Sequence, residues 1–277
     1  MAHPSESPGE IYYRRFTRTE RIMHATLFSS FLGLALTGLP LLFSDQPWAQ
    51  GFARAVGVRT AGNVHRFFAV VLIGTFAWHL FLIVERLFGK KDFGILWGPD
   101  SLVPQPRDVK EFMGHMKWFL HLGPRPKFDH FAYWQKFDYW AVFWGMGIIG
   151  GSGMMLWFPT FFARLLPGWV FNIATVIHGE EALLAVIFIF TIHFFNENLR
   201  PEKFPMDDVM FTGRVSADEL RDERPGEWER LRAEGALAAL EVPPPSPRLR
   251  RAGRLIGTTA LTLGLVLVSL TIYSLTR

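Results

Sequence analysis

The sequence predicts an all-α, polytopic membrane protein in which a four-helix transmembrane bundle is followed by a fifth, C-terminal transmembrane helix. Three observations support this prediction. The chain of 277 residues contains five apolar runs long enough to cross a hydrocarbon core of about 30 Å. Charged residues make up only 19% of the chain and fall almost entirely outside these runs. Histidines, by contrast, recur inside them.

The apolar runs divide the chain into a membrane domain and polar segments. The predicted spans are residues 22–44, 64–84, 139–158, 169–195 and 255–273. Residues 22–195 therefore form the four-helix domain, with a loop at 85–137, and residues 255–277 carry the fifth helix. Residues 1–21 and 196–254 are the remaining polar segments.

The distribution of basic residues predicts the topology. Of the 29 Lys and Arg residues, 24 lie in segments 1–21, 85–137 and 196–254. Because basic residues collect on the cytoplasmic side, we expect the N-terminus in the cytoplasm and the C-terminus outside. The sequence pI near 9.5 is explained by this sorting, so we expect membrane lipid, and no nucleic acid, as a partner.

Two polar segments carry helix signals. In the stretch PRDVKEFMGHMKWFLHLG, the apolar residues Phe112, Met116, Phe119 and Leu120 recur at helical spacing, which predicts an amphipathic helix on the bilayer surface. Ser216 and Glu219 form a capping-box pattern at the start of a further helix.

The chain has no cysteine, which excludes disulfides, thiolate-ligated clusters and thioether-attached haem. Any redox cofactor must therefore be held by other side chains. Five of the nine histidines lie inside the predicted spans. Ionisable residues at membrane depth are costly and usually functional. The five are His24, His65, His79, His178 and His193.

The spacing of these histidines places them at two depths. His65 and His79 are 14 residues apart on one helix, and His178 and His193 are 15 apart on another. Each pair is separated by roughly 21–22 Å along its helix and lies on nearly one face. By the predicted topology, His65 and His178 are near the outer surface, and His79 and His193 near the inner one. His24, near the cytoplasmic start of the first span, is also inner.

Two imidazoles on opposite sides of a haem iron give a six-coordinate centre that passes electrons. The histidines therefore predict two non-covalent b-type haems in the four-helix bundle. His65 and His178 are the ligands of the outer haem. The inner haem has three candidate ligands for two positions: His24, His79 and His193.

The motifs of the four helices resemble those of a known family. They are RIMHATLFSSFLGLALTG in the first helix, VHRFFAVVL in the second, QKFDYW before the third and VIHGEEALLAVIFIFTIH in the fourth. Over residues 14–205 the chain resembles the di-haem cytochrome b subunits of formate dehydrogenases and nickel–iron hydrogenases, related to bacterial cytochrome b561. The resemblance implies that His24 pairs with His193 and His65 with His178. His79 is additional to the formate dehydrogenase pattern and resembles the paired spacing of quinol-oxidising cytochrome b, so it stays a candidate partner of His193.

Charged and polar residues near these histidines are candidates for secondary roles. Arg66 and Arg21 could pair with haem propionates, because a guanidinium matches carboxylate geometry. The family's quinone pocket, beside the cytoplasmic haem, is retained here in Gln135 and Lys136. The wider set of candidate quinone or proton-transfer residues is Tyr133, Gln135, Lys136, Asp138, His130, Glu180 and Glu181.

These features predict an electron-transfer subunit that links the quinone pool to a partner redox enzyme or cytochrome through two bis-histidine haems. The partner would be of the iron–sulfur or multihaem cytochrome type, and the chain would have no catalytic residues for a soluble substrate. Two alternatives are a non-redox membrane anchor and a histidine-using metal or proton transporter.

Overall fold

The computed structural model describes residues 10–200, 203–204 and 206–276. The first nine residues of the predicted N-terminal segment, three residues of segment 196–254 and the last residue of the chain lie outside this description. The chain forms two compact units. We call Ile22–His79, Ala141–Asp207 and Arg254–Arg277 the bundle unit, and Met1–Arg21, Leu80–Trp140 and Asp208–Gly253 the loop unit.

Five helices are long and apolar enough to cross a membrane, which confirms the predicted fold class. Each continues by a few residues beyond at least one of its predicted limits, because a helix extends past the apolar stretch until its polar ends reach water. The spans, in chain order, are Arg18–Leu42, Val58–Gly89, Tyr133–Trp157, Trp169–Leu199 and Pro247–Leu275.

Wider, π-helical turns interrupt three of the spans. They lie at Glu85–Gly89 in the second span, Met146–Gly150 in the third, and Ile189–His193 and Phe195–Leu199 in the fourth. Such turns shift the register of the side chains that follow and occur frequently at functional sites. One of them ends at His193, a candidate ligand.

The core of the bundle unit is formed by the first, fourth and fifth spans. Leu39 of the first span, Val186 and Phe190 of the fourth and Leu267 of the fifth are all buried in one apolar cluster. Gly264 lies so close to the Phe190 ring that a side chain at this position would overlap it. Small residues permit this close approach between membrane helices. Two short helices, Pro47–Val56 and Pro159–Phe162, complete the unit.

The loop unit contains a small antiparallel sheet that the sequence did not predict. Strand β1 (Tyr12–Arg14) lies between β2 (Arg214–Ser216) and β3 (Glu241–Val242). The remaining elements of this unit are the helices Phe93–Ile95, Pro106–Phe119, Val209–Thr212, Ala217–Glu223, Pro225–Ala233 and Leu237–Leu240. The backbone N–H of Glu219 donates to the Ser216 hydroxyl at 3.3 Å, which confirms the predicted helix cap.

The amphipathic helix Pro106–Phe119 is attached to the first turn of the third span. The Lys136 ammonium donates to both carboxylate oxygens of Asp108, at 2.8 and 3.0 Å, and both side chains are buried. Near the other end of the helix, the His115 Nδ1 and the Tyr133 hydroxyl are 3.1 Å apart. Burying an ion pair costs desolvation energy, which the attraction between the charges offsets only when the geometry is good. Here one ammonium donates to both carboxylate oxygens.

Candidate functional site

The histidines of the predicted outer pair face each other in the bundle unit. The ring centres of His65, on the second span, and His178, on the fourth, are 6.3 Å apart. Two imidazoles bound to one metal through bonds of about 2 Å have ring centres about 6 Å apart. This spacing fits two residues that would hold one haem iron between them.

The first span holds the His65 ring in place. The Thr37 hydroxyl is 3.0 Å from His65 Nδ1, and the backbone of Leu34 is a further hydrogen-bond partner of this ring. A Cβ atom at Gly38 would approach the His65 ring to 3.1 Å, closer than an ordinary contact. A glycine here therefore allows the ring to lie directly against the backbone of the first span.

The third span holds the His178 ring in the same way. The carbonyl oxygen of Ile149 is 3.0 Å and the Ser152 hydroxyl 3.3 Å from His178 Nδ1. A Cβ atom at Gly153 would meet this ring at 3.0 Å. Each outer histidine is thus supported by three groups on the preceding span. They are a hydroxyl residue, the glycine that follows this hydroxyl residue, and the carbonyl group three positions before the hydroxyl residue. We call these two arrangements the hydroxyl–glycine cradles.

The cradles determine which ring nitrogen carries the proton. The Thr37 hydroxyl donates to the Gly33 carbonyl at 2.7 Å, and the Ser152 hydroxyl donates to the Ile148 carbonyl at 2.7 Å. A hydroxyl has one hydrogen, so each can only accept from the imidazole. The proton is therefore on Nδ1, and the lone pair of Nε2 is free to bind a metal ion.

Removal of the cradle hydroxyls should raise the reduction potential of the outer centre. A hydrogen bond from Nδ1 makes the imidazole a stronger donor and so favours the ferric state. We expect Thr37→Val and Ser152→Ala each to raise the midpoint potential by up to about 40 mV, the one-electron equivalent of a hydrogen bond of about 1 kcal/mol. A redox titration followed by haem absorbance measures this shift.

The matched control for this titration is Thr75→Val. The buried Thr75 hydroxyl also donates to its own helix, at the Val71 carbonyl, and belongs to neither cradle. The control should leave the midpoint potential unchanged. A potential that also stays unchanged in Thr37→Val and Ser152→Ala would contradict the role given to the cradles.

The three candidate inner ligands have different surroundings in the bundle unit. His24 on the first span and His193 on the fourth are close enough to interact electrostatically. The ring of His79, on the second span, lies 6.1 Å from the ring of Phe143 on the third. Phe143 in turn contacts Phe76 at 5.1 Å. The structure thus brings His24 towards His193 and places His79 beside an aromatic pair.

Three of the other charged candidates have protein partners: Arg66, Glu181 and Arg21. The Arg66 guanidinium lies 5.8 Å from the centre of the Trp157 ring. Glu181 accepts a hydrogen bond of 3.0 Å from the Trp144 indole, and Glu180 is exposed. In the loop unit, an Nη atom of Arg21 donates to the Phe211 carbonyl, while its Nε is buried without a hydrogen-bond partner among the described residues.

The proposed quinone residues at the start of the third span belong to the loop unit and make separate contacts. Lys136 is paired with Asp108, as described above, and Tyr133 with His115. The Gln135 side-chain oxygen accepts from Arg224 at 2.8 Å. His130 is hydrogen-bonded to Arg15 and to Glu227. Asp138 is half-buried on the same helix. Lys136 and His130 therefore stabilise the loop unit through their contacts with acidic residues.

Glu111, which the sequence analysis did not single out, lies beside this group. One of its carboxylate oxygens is buried without a hydrogen-bond partner among the described residues. Burial, together with the negative charge of Asp108, raises the pKa of Glu111 to about 7, although Arg107 and Lys136 oppose the shift. The carboxyl group can therefore take up and release a proton near neutral pH.

Replacement of Glu111 by glutamine should stabilise the protein at high pH. Because the pKa is raised on folding from 4.5 to about 7, the native state loses stability as pH rises through this window. Glu111→Gln removes that loss. We expect its thermal midpoint to exceed that of the wild type by about 2–4 °C at pH 8, with no difference at pH 5.

The control for this comparison is Glu229→Gln, which changes an exposed glutamate paired with Lys127. The thermal midpoint of Glu229→Gln should differ from that of the wild type by the same amount at pH 5 and at pH 8. If Glu111→Gln behaves in the same way as this control, the buried carboxyl group does not titrate between pH 5 and 8.

The cradle residues are the part of the site that the sequence analysis missed. A signal for them is present, because a hydroxyl residue followed by glycine precedes each outer histidine by 28 or 26 residues. The dipeptides are Thr37–Gly38 and Ser152–Gly153. Each lies on the helix before its histidine, so the first and second spans and the third and fourth spans form two similar helix pairs.

The chain matches a known protein family. A family model described as prokaryotic cytochrome b561 matches residues 15–196. This range contains all five histidines of the spans and ends within the fourth span. No curated protein matches the chain. The family match confirms the resemblance noted from the helix motifs.

Proposed function

Because the chain belongs to the prokaryotic cytochrome b561 family and is thus a multi-pass membrane cytochrome of the b type, we propose that it transfers electrons between the quinone pool and a partner redox protein through two bis-histidine haems. Bound haem would supply one-electron transfer between the ferric and ferrous states of iron. The chain contributes the ligands, their orientation and an apolar surrounding that excludes water.

The spacing of His65 and His178 is the observation that carries this proposal. Their ring centres, 6.3 Å apart, suit the two axial positions of one iron. The cradles support it, because they leave Nε2 of both rings available as the ligand atom. Histidines that served only in packing would not need two matching sets of hydrogen bonds from different helices.

His24 and His193 are the proposed ligands of the second haem. Their proximity in the bundle unit supports this pairing. The π-helical turn that ends at His193 also supports this pairing. Such a turn changes the direction of its side chains relative to those of a continuous α-helix. We assign His79 a packing role beside Phe143.

The quinone site is proposed at the start of the third span. Quinone reduction requires two protons as well as two electrons, so groups that exchange protons near neutral pH are needed. The raised pKa of Glu111, about 7, supports a role as the proton-exchanging group. Tyr133, Gln135 and Asp138 are the proposed headgroup contacts. Glu180 and Glu181, which follow His178 on the fourth span, are proposed to carry protons beside the outer haem.

The topology and the partner are part of the same proposal. The excess of Lys and Arg in the polar segments supports a cytoplasmic N-terminus in the bacterial inner membrane. The partner is an iron–sulfur or multihaem redox subunit that exchanges electrons at the outer haem. Arg66 and Arg21 are the proposed propionate contacts.

Reduction by quinol tests the proposed function. Oxidised protein in lipid nanodiscs is mixed with a short-chain menaquinol or ubiquinol, and the haem absorbance is followed with time. We expect at least one of the two quinols to reduce the haem. The Glu111→Gln variant should slow this reduction, whereas Glu229→Gln should not. Haem-loaded protein that neither quinol reduces would contradict the quinone link, and purified protein without haem would contradict the cytochrome proposal itself.

A further inference from the structure

The amphipathic helix Pro106–Phe119 has three distinct faces. One face is directed at the protein, where Asp108 is paired with Lys136 and His115 contacts Tyr133. A second face is apolar and exposed; its side chains are Val109, Phe112, Met113, Phe119 and, just beyond the helix end, Leu120, each more than 40% accessible. A third face, about 100° around the helix from Val109, carries exposed Lys110 and Lys117.

The attachment of this helix fixes its level relative to the bilayer. Lys136 and Tyr133, which hold the helix, are in the first turn of the third span, where the chain begins an apolar stretch long enough to cross a membrane. A helix fixed at this point lies at the depth of the lipid headgroups. Its exposed apolar side chains can then enter the acyl region, as those of interfacial helices do.

A cationic cleft lies along the third face. It has a volume of about 330 Å³ and is bordered by Lys110, Lys117 and Arg125, with Glu111 as its one acidic residue. The Arg125 guanidinium is positioned over the Trp118 ring, 5.7 Å from its centre. Gly114 forms part of the wall, and a Cβ atom there would approach Pro126 to 3.1 Å. The helix and the following loop are thus closely packed around an open, positively charged groove.

We propose that this cleft binds the phosphate headgroup of an anionic phospholipid, whose acyl chains lie along the exposed apolar face of the helix. The three cations supply charge complementarity for one phosphate, and the guanidinium of Arg125 can bind two of its oxygens. The acyl chains of a lipid would cover the apolar row beside the cleft. A soluble phosphate compound would leave this row exposed to water. Glu111 is the one cleft residue shared with the proposed quinone site, and lipid binding at the three cations requires neither haem nor quinone.

Lipid binding to the purified, haem-loaded protein tests this proposal. Native mass spectrometry in detergent is used to titrate phosphatidylglycerol and phosphatidylcholine with identical acyl chains. We expect the wild type to bind phosphatidylglycerol at least about tenfold more tightly. K110Q and K117Q, both at exposed positions, should each weaken phosphatidylglycerol binding about fivefold, the loss expected for one cation near an anionic headgroup. The triple variant K110Q/K117Q/R125Q should bind the two lipids equally.

Two controls separate the cleft from general charge and from apolar contact. R232Q removes an exposed cation from another helix of the loop unit and should not alter the preference. F119S should weaken binding of both lipids to the same extent and keep the preference. The haem absorbance of each variant reports whether it has folded. Equal binding of the two lipids by the wild type, or a preference in K110Q and K117Q as large as that of the wild type, would overturn the proposal.

Discussion

Replacement of either His65 or His178 by alanine is expected to remove one complete haem from the protein. The two rings face each other at a centre-to-centre distance of 6.3 Å, and we propose that both would hold the same iron. Loss of one ligand leaves that iron with a single protein bond, so the haem is lost on purification. Haem quantification per chain should fall to half the wild-type value, and the redox titration should lose one component and keep the other.

The same component must disappear in both variants, since the two histidines serve one centre. His121→Ala is the matched control, because His121 is exposed and lies outside the five spans; it should keep both components. Added imidazole should restore haem to His65→Ala by occupying the space of the missing ring. Loss of different components in the two variants would show that His65 and His178 do not share a haem.

The second large effect is expected from His24→Ala. This variant should lose the inner haem and keep the outer one. His24 interacts electrostatically with His193, and we propose that the two ligate the inner centre. His79→Ala should retain both haems, because the His79 ring packs against Phe143. Haem content and redox titration of these two single variants, compared with His193→Ala, distinguish the alternatives that the sequence left open.

The pattern of losses decides between His24 and His79. His24→Ala and His193→Ala should lose the same redox component, and the outer component should persist in both. The opposite pattern, with haem retained in His24→Ala and lost in His79→Ala, would give the inner haem to His79 and His193. Loss in both variants would contradict the proposal that four histidines hold two haems.

The membrane spans could be predicted from the sequence because their signal is local. An apolar run of about 20 residues has no alternative to a helix in lipid, where every backbone group must be paired within the segment. The limits were less well determined. The fifth span begins at Pro247 rather than near residue 255, because the basic residues of its first turns do not prevent a helix; they only keep those turns in the polar region.

The facing of His65 and His178 was also predictable, since helical periodicity fixes both their depth and their face. The cradles were not predicted, because they depend on contacts between helices. Thr37 and Ser152 each contact a histidine on the following span. Periodicity within one helix contains no information about which neighbouring residue will lie beside a ring, and only the assembled pair of helices provides it.

The loop unit was the least predictable part. Its sheet joins Tyr12–Arg14 to strands about 200 residues later in the chain, and strands of two or three residues leave almost no pattern in a sequence. The pairing of Lys136 with Asp108 is equally non-local. The resemblance to the family predicted Lys136 as a quinone contact, and the structure adds that its ammonium is paired with a helix from the preceding loop.

The proposal that paired histidines hold two haems is tested most directly by the haem content and spin state of the wild-type protein. We expect two low-spin haems per chain, each with two imidazole ligands. Haem quantification together with electron paramagnetic resonance of the oxidised protein measures this. A protein with one haem per chain, or with a high-spin iron that lacks a second imidazole, would contradict the paired histidines on which the proposed electron transfer depends.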